Sequence, residues 1–319
     1  MRALRIVIVA VIAGFAMGVA FAQAPSGSAA VPPQGRGATM TPEQRAAAAA
    51  AQTAKLLAME RPIEAMDTVW TDEMTWLEVR DALKAGKTTV LIPSGGIEQN
   101  GPYLATGKHN YVNRASCGAV ARKLGNALCA PVVPFAPDGD IERKTDHMAY
   151  PGTISLRLET YRAVLTDMAA SLRAHGFEHI VLMGDNGGES VDGMKQVTQE
   201  LGAKWAGGKT SIHFVPEYYE YAPYQPKLRK YANDTFGWKP VNEGHHDNPA
   251  ITVIMMTVDP NTVRVQQRIK ANKASIDAIS IVPVDRAVAA GRKLVEYRAE
   301  QVAAAIRKVI ASPPTTARP

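Results

Sequence analysis

Between residues 88 and 260, short continuous apolar runs alternate with longer segments in which apolar residues recur every three or four positions. "TTVLIPSG" (88–95), "ALCAPVVPF" (127–135), "HIVLMG" (179–184) and "SIHFVPE" (211–217) are apolar on both alternating faces, as buried strands are. The segments between them predict helices. One spans 110–125 and stops at Gly125, and another spans 155–176 with Leu158, Tyr161, Leu165, Met168 and Leu172 on one face and Gly176 at its end. A third spans 189–202, a fourth spans 248–260 with Pro249 in its first turn, and a long one spans 284–311. Strands that alternate with helices in this way predict an α/β fold, a three-layer sandwich with a mainly parallel sheet covered by helices on both faces.

In such folds the working crevice lies beyond the carboxyl ends of the strands. Polar loops follow three predicted strands, at 94–110, 136–153 and 184–190, and a fourth polar cluster, "NEGHHDN" (242–248), precedes a helix. They carry His109, His147, His245 and His246, together with Glu98, Asp138, Asp140, Glu142, Asp146, Asp185, Glu189, Glu243 and Asp247. Mixed imidazole and carboxylate donors suit Zn, Mn or Fe better than Ca or Mg. The other reading is an ordinary polar rim. His175, His179 and His213 sit at a helix end or within a strand and read as structural.

Composition narrows the function. The formal charge is +6, with the basic residues scattered and "KLRKY" (227–231) the densest group, so the chain lacks the stripe that nucleic acid would need. It has no GxSxG elbow, no GxGxxG and no phosphate-binding lysine loop, which argues against a serine hydrolase and a nucleotide cofactor.

The first 24 residues, a basic start followed by an apolar run and then "AFAQA", have the layout of a signal for export cleaved after Ala22 or Ala24, with an uncleaved anchor as the alternative. Residues 25–60 read as a Pro-, Gly- and Ala-rich linker that merges into a weak helix, and 61–319 as one domain. The two cysteines, Cys117 and Cys129, are either buried thiols or a disulfide. "PEYYEYAPYQPKLRKY" (216–231) brings five tyrosines together, for packing, a subunit contact or stacking on a planar ligand.

"IPSGGIEQNGPYLATGKH" resembles the signature loop of the creatininase (creatinine amidohydrolase) family, P-x-G-S-x-E-Q-H-G-P-H-L-P-x-x-x-D. Further likenesses follow in the same order: "YPGTISL" (150–156), "AHGFEHIVLMGDNGGES" (174–190) and "GHHDNPAIT" (244–252). The resemblance implies a hydrolase whose metal site activates water against a cyclic or linear amide, a small-molecule substrate and a homo-oligomer. It places Glu98 on a metal-binding glutamate and His246 on a site histidine. It also puts Asn100 and Asn186 where ligand histidines stand, His109 where a bridging aspartate stands, and Ile251 where a glutamate stands.

A neutral imidazole serves one metal where a carboxylate bridges two. The expectation is therefore one Zn or Mn rather than two, or none, held by Glu98, His109, Asp185 and Asp247, with His246 carrying the proton. Asn100, Asn186, Gly187 and Gly188 would line the substrate. A fold that has lost the metal and only binds is the alternative.

Overall fold

The computed structural model describes residues 40–220 and 226–312. The proposed signal segment lies outside them, as do Tyr221 and Tyr224. The chain divides into two units, one up to Met59 and one from Glu60 onward. In the first, helix α1 (Pro42–Ala58) opens with a reciprocal cap: the Thr41 hydroxyl accepts from the Gln44 amide, and the Gln44 side chain accepts from the Thr41 amide. This is the Ala-rich helix into which the linker was expected to merge.

The second unit begins with α2 (Trp76–Lys84), capped in the same way by Thr75 and Glu78. It continues through β1 (Thr89–Ser94), α3 (Lys108–Leu124), β2 (Ala127–Cys129), α4 (Leu158–Ala174), β3 (His179–Gly184), α5 (Glu189–Lys204) and β4 (Ser211–Phe214). After these come α6 (Pro226–Phe236), α7 (Pro249–Val258), α8 (Val265–Lys270), the small hairpin β5–β6 (Ser275–Ile276 and Ile279–Ser280) and α9 (Val284–Ala311). In α7, Asn248 accepts from the Ile251 amide at 2.9 Å and Pro249 fills the first helical position, where its missing N–H costs nothing.

The four main strands are parallel in the order β2-β1-β3-β4, with Thr89 opposite both Ala127 and His179, and His179 opposite Ser211. The α/β class is as the apolar pattern predicts. The connection through α3 runs from β1 toward one edge, and those through α4 and α5 run toward the other. Right-handed crossovers therefore place α3 on one face of the sheet and α4 and α5 on the opposite face.

The core between these layers includes Leu91, Ile92, Val120, Leu165, Ile180, Leu182, Met194, Val302 and Ile306. The direction of winding reverses between β1 and β3, so their carboxyl ends, Ser94 and Gly184, flank the crevice where such folds bind ligands.

Candidate functional site

The loops leaving β1 and β3 supply the centre of the site. Glu98 leaves β1 and is 2% exposed; His109 is in the first turn of α3, and Asp185 follows β3 directly. His109 Nε2 lies 2.6 Å from Glu98 Oε1 and its Nδ1 lies 3.0 Å from Asp185 Oδ2. Both ring nitrogens can donate only in the imidazolium form. Burial and the neighbouring Lys108 oppose that charge, but Glu98 and Asp185 outweigh them and raise the His109 pKa.

The Lys108 ammonium stands 3.3 Å from Glu98 Oε1, and Arg298 from α9 reaches Asp185 Oδ1 at 3.3 Å. A buried row of alternating charge results: Lys108, Glu98, His109, Asp185, Arg298. Burial alone would raise the Glu98 pKa, yet the His109 and Lys108 charges hold its carboxyl well below the usual range.

Two further histidines approach the same carboxylate from loops. His147 Nε2 is 3.3 Å from Glu98 Oε2, and His246 Nδ1 is 3.6 Å from Oε1. The two imidazoles stack with centroids 4.5 Å apart. His246 Nδ1 lies 2.9 Å from the Gln99 carbonyl, so it carries the proton and Nε2 keeps the lone pair. Burial, then the Lys108 charge, push the His246 pKa down to about 4 and keep the ring neutral. One atom each from Glu98, His147 and His246 lie within 4.8 Å of one another.

The trio opens into a cavity of about 1070 Å³. Asp138, on its wall, accepts from Asn186 Nδ2 at 2.6 Å through Oδ1, while its buried Oδ2 meets no donor. Burial pushes the Asp138 pKa up to about 7. A side chain at Gly96 would come within 2.5 Å of Asn186 Nδ2, so the absence of a Cβ there lets the first loop pass this pair.

The creatininase family profile, described as creatinine amidohydrolase, matches residues 72–308. The chain belongs to the creatininase family. It is 25% identical to a creatinine amidohydrolase of Pseudomonas putida over 224 residues, which are 69% of this chain and 83% of that protein. Over 134 residues it is 28% identical to a 3-dehydro-scyllo-inosose hydrolase of Thermotoga maritima, 42% of this chain and 39% of that one. Among solved structures, a creatininase described with Mn overlays with a TM-score of 0.56 at 22% identity, covering 77% of this chain and all of that one. A mutant creatininase of Zn–Zn type gives 0.55 over the same share of this chain, also at 22% identity.

One carboxylate oxygen and two imidazoles form a donor set that suits Zn or Mn, with positions left for water and substrate. The buried His147 Nδ1, without a hydrogen-bond partner, is consistent with a ring that a ligand would fix. Such an ion would therefore be held by Glu98, His147 and His246, a set that differs from the one the sequence suggests.

Glu98 belongs to both sets. His246, expected to carry protons, stands among the donors, and His147 was visible only as one more rim histidine. His109 and Asp185 face each other and their ion-pair partners. Asp247 lies apart, beside the Gly101 backbone, where a Cβ would fall 2.6 Å from its Oδ2. Burial raises the Asp247 pKa, and its buried Oδ1 has no partner. Asn100 Nδ2 donates to the Glu98 carbonyl at 2.8 Å and steadies the loop, whereas Asn186, Gly187 and Gly188 do line the cavity.

Arg298 went unnoticed in the sequence. Its signal is a lone arginine four residues from Leu294 and from Val302 on the apolar stripe of α9, which requires a buried carboxylate.

Proposed function

We propose that this chain is an exported, metal-dependent hydrolase that cleaves a carbon–nitrogen bond of a cyclic or linear non-peptide amide. The observation that carries this reading is the convergence of Glu98, His147 and His246 at the cavity. An ion bound there would supply Lewis-acid polarisation of a carbonyl and make water a nucleophile near neutral pH.

The residues of the chain do the rest. Glu98 stays ionised because Lys108 and His109 flank it, and His246 stays neutral with its Nδ1 proton fixed on Gln99. Proton delivery to the leaving nitrogen then falls to Asp138, whose carboxyl titrates near neutrality with Oδ2 unengaged. Export is supported by the amino-terminal pattern and by the Cys117–Cys129 disulfide, a bond typical of oxidising compartments.

The test is elemental analysis of purified protein supplied with Zn or Mn. About one ion per chain is expected. Glu98→Ala and His147→Ala should lose it while remaining folded, and the loaded protein should release carboxylate from members of a panel of cyclic and linear amides. A well-folded protein that takes up no ion would instead be a binding protein that kept the fold.

A further inference from the structure

The two oxygens of Glu98 meet different surroundings. Oε1 faces the Lys108 ammonium at 3.3 Å, His109 Nε2 at 2.6 Å and, farther off, His246 Nδ1 at 3.6 Å, whereas Oε2 faces His147 Nε2 at 3.3 Å. Both His109 nitrogens are engaged by carboxylates, so that ring has no lone pair left for an ion. The Oε1 side thus already holds its cations. Lys108 is 6% exposed yet lines the cavity, and it pairs there with Glu98. An ammonium has three donors. A buried charge with donors unspent is costly unless something polar meets it.

We propose that Lys108 is a catalytic residue: its ammonium binds the carbonyl oxygen of the substrate from the Oε1 side, while Glu98, His147 and His246 hold the divalent ion. This rests on the hydrolase reading above. In the reaction, water adds its oxygen to the carbonyl carbon, the C–N bond breaks, and both protons of the water end on the leaving nitrogen, giving a carboxylate and an ammonium. Negative charge develops on the carbonyl oxygen along the way, and a preorganised cation stabilises it without reorganisation. The carboxylate product carries that charge permanently, so the same ammonium should bind it.

A positive charge so placed has opposite effects on two ligands. It repels a divalent cation and attracts a carboxylate. The experiment measures zinc affinity by competition with a fluorescent chelator, and acetate affinity of the zinc-loaded protein by calorimetry, for the wild type, Lys108→Met and Lys108→Arg. Lys108→Met should bind zinc about tenfold more tightly and acetate about tenfold more weakly, whereas Lys108→Arg should keep both near wild type.

A packing role alone would not move the two affinities in opposite directions. If folded Lys108→Met shifts both the same way, or neither, the role of Lys108 is overturned. His147→Ala separates the two claims. Zinc retained in that variant overturns the metal trio, and this inference with it. Zinc lost there but unmoved by Lys108→Met overturns Lys108 alone.

Discussion

At the scale of single residues, Asp138 and Arg298 make the sharpest claims. The folded-state pKa of Asp138 is about 7, raised by burial from 3.8. The folded protein therefore holds a proton that the unfolded chain releases. The resulting stability is full below the ordinary aspartate value and is lost as pH rises through 7. Thermal melts between pH 4 and 8 should show this slope in the wild type and not in Asp138→Asn. Arg298 balances a buried carboxylate, so Arg298→Leu leaves Asp185 charged without its α9 partner and should cost about 3–5 kcal/mol in urea unfolding. Of these site residues, Glu98 was legible because a carboxylate in a glycine-rich loop after a buried strand has few structural uses. His147 could be placed on the rim, but its approach to Glu98 depends on the path of a 49-residue connection that no local pattern encodes. Lys108 carries no signal of its burial in the sequence, since only tertiary packing buries it.

At the scale of elements, the apolar rhythm located every main strand and the helices that link them. The boundaries moved where backbone chemistry intervened. The strand expected over 127–135 pairs continuously as β2 from Ala127 to Cys129 and resumes as a single bridge between Val133 and Ser94, because Pro131 and Pro134 lack the N–H that an unbroken ladder needs. The predicted helix at 155–176 begins at Leu158 and ends at Ala174, and the strand at 211–217 pairs only to Phe214, before Pro216. Helix α6 lies in the segment singled out for its tyrosines; its one tyrosine, Tyr231, stacks on Tyr297 at 4.1 Å, a packing use. Along β3 and β4, Ser211 Oγ lies between two imidazoles, 2.9 Å from His179 Nδ1 and 2.8 Å from His213 Nε2. Burial, then repulsion from His179, push the His213 pKa down to about 4 from 6.5. The stability it contributes is present above pH 6.5 and is lost as pH falls through 4. His213→Gln should therefore be less acid-sensitive than the wild type when melts at pH 7 and pH 4.5 are compared.

For the whole molecule, the disulfide between Cys117 in α3 and Cys129 in β2 ties a helix to the edge of the sheet. It closes a short loop, 12 residues apart in sequence, and removing such a link typically costs about 2–4 kcal/mol. Dithiothreitol, or Cys117→Ala with Cys129→Ala, should lower the unfolding midpoint without altering the zinc stoichiometry. No helix among the described residues is long and apolar enough to cross a membrane. The buried charge row has a consequence in time as well as in space. Its members come from the loop after β1, from α3, from the end of β3 and finally from α9, so Asp185 meets its arginine only when a residue 113 positions further along has been made. Until that helix docks, Asp185 has His109 as its cationic partner, and Arg298 then adds a second. The last of the row's charges to be made is therefore the one that closes it on the α9 side.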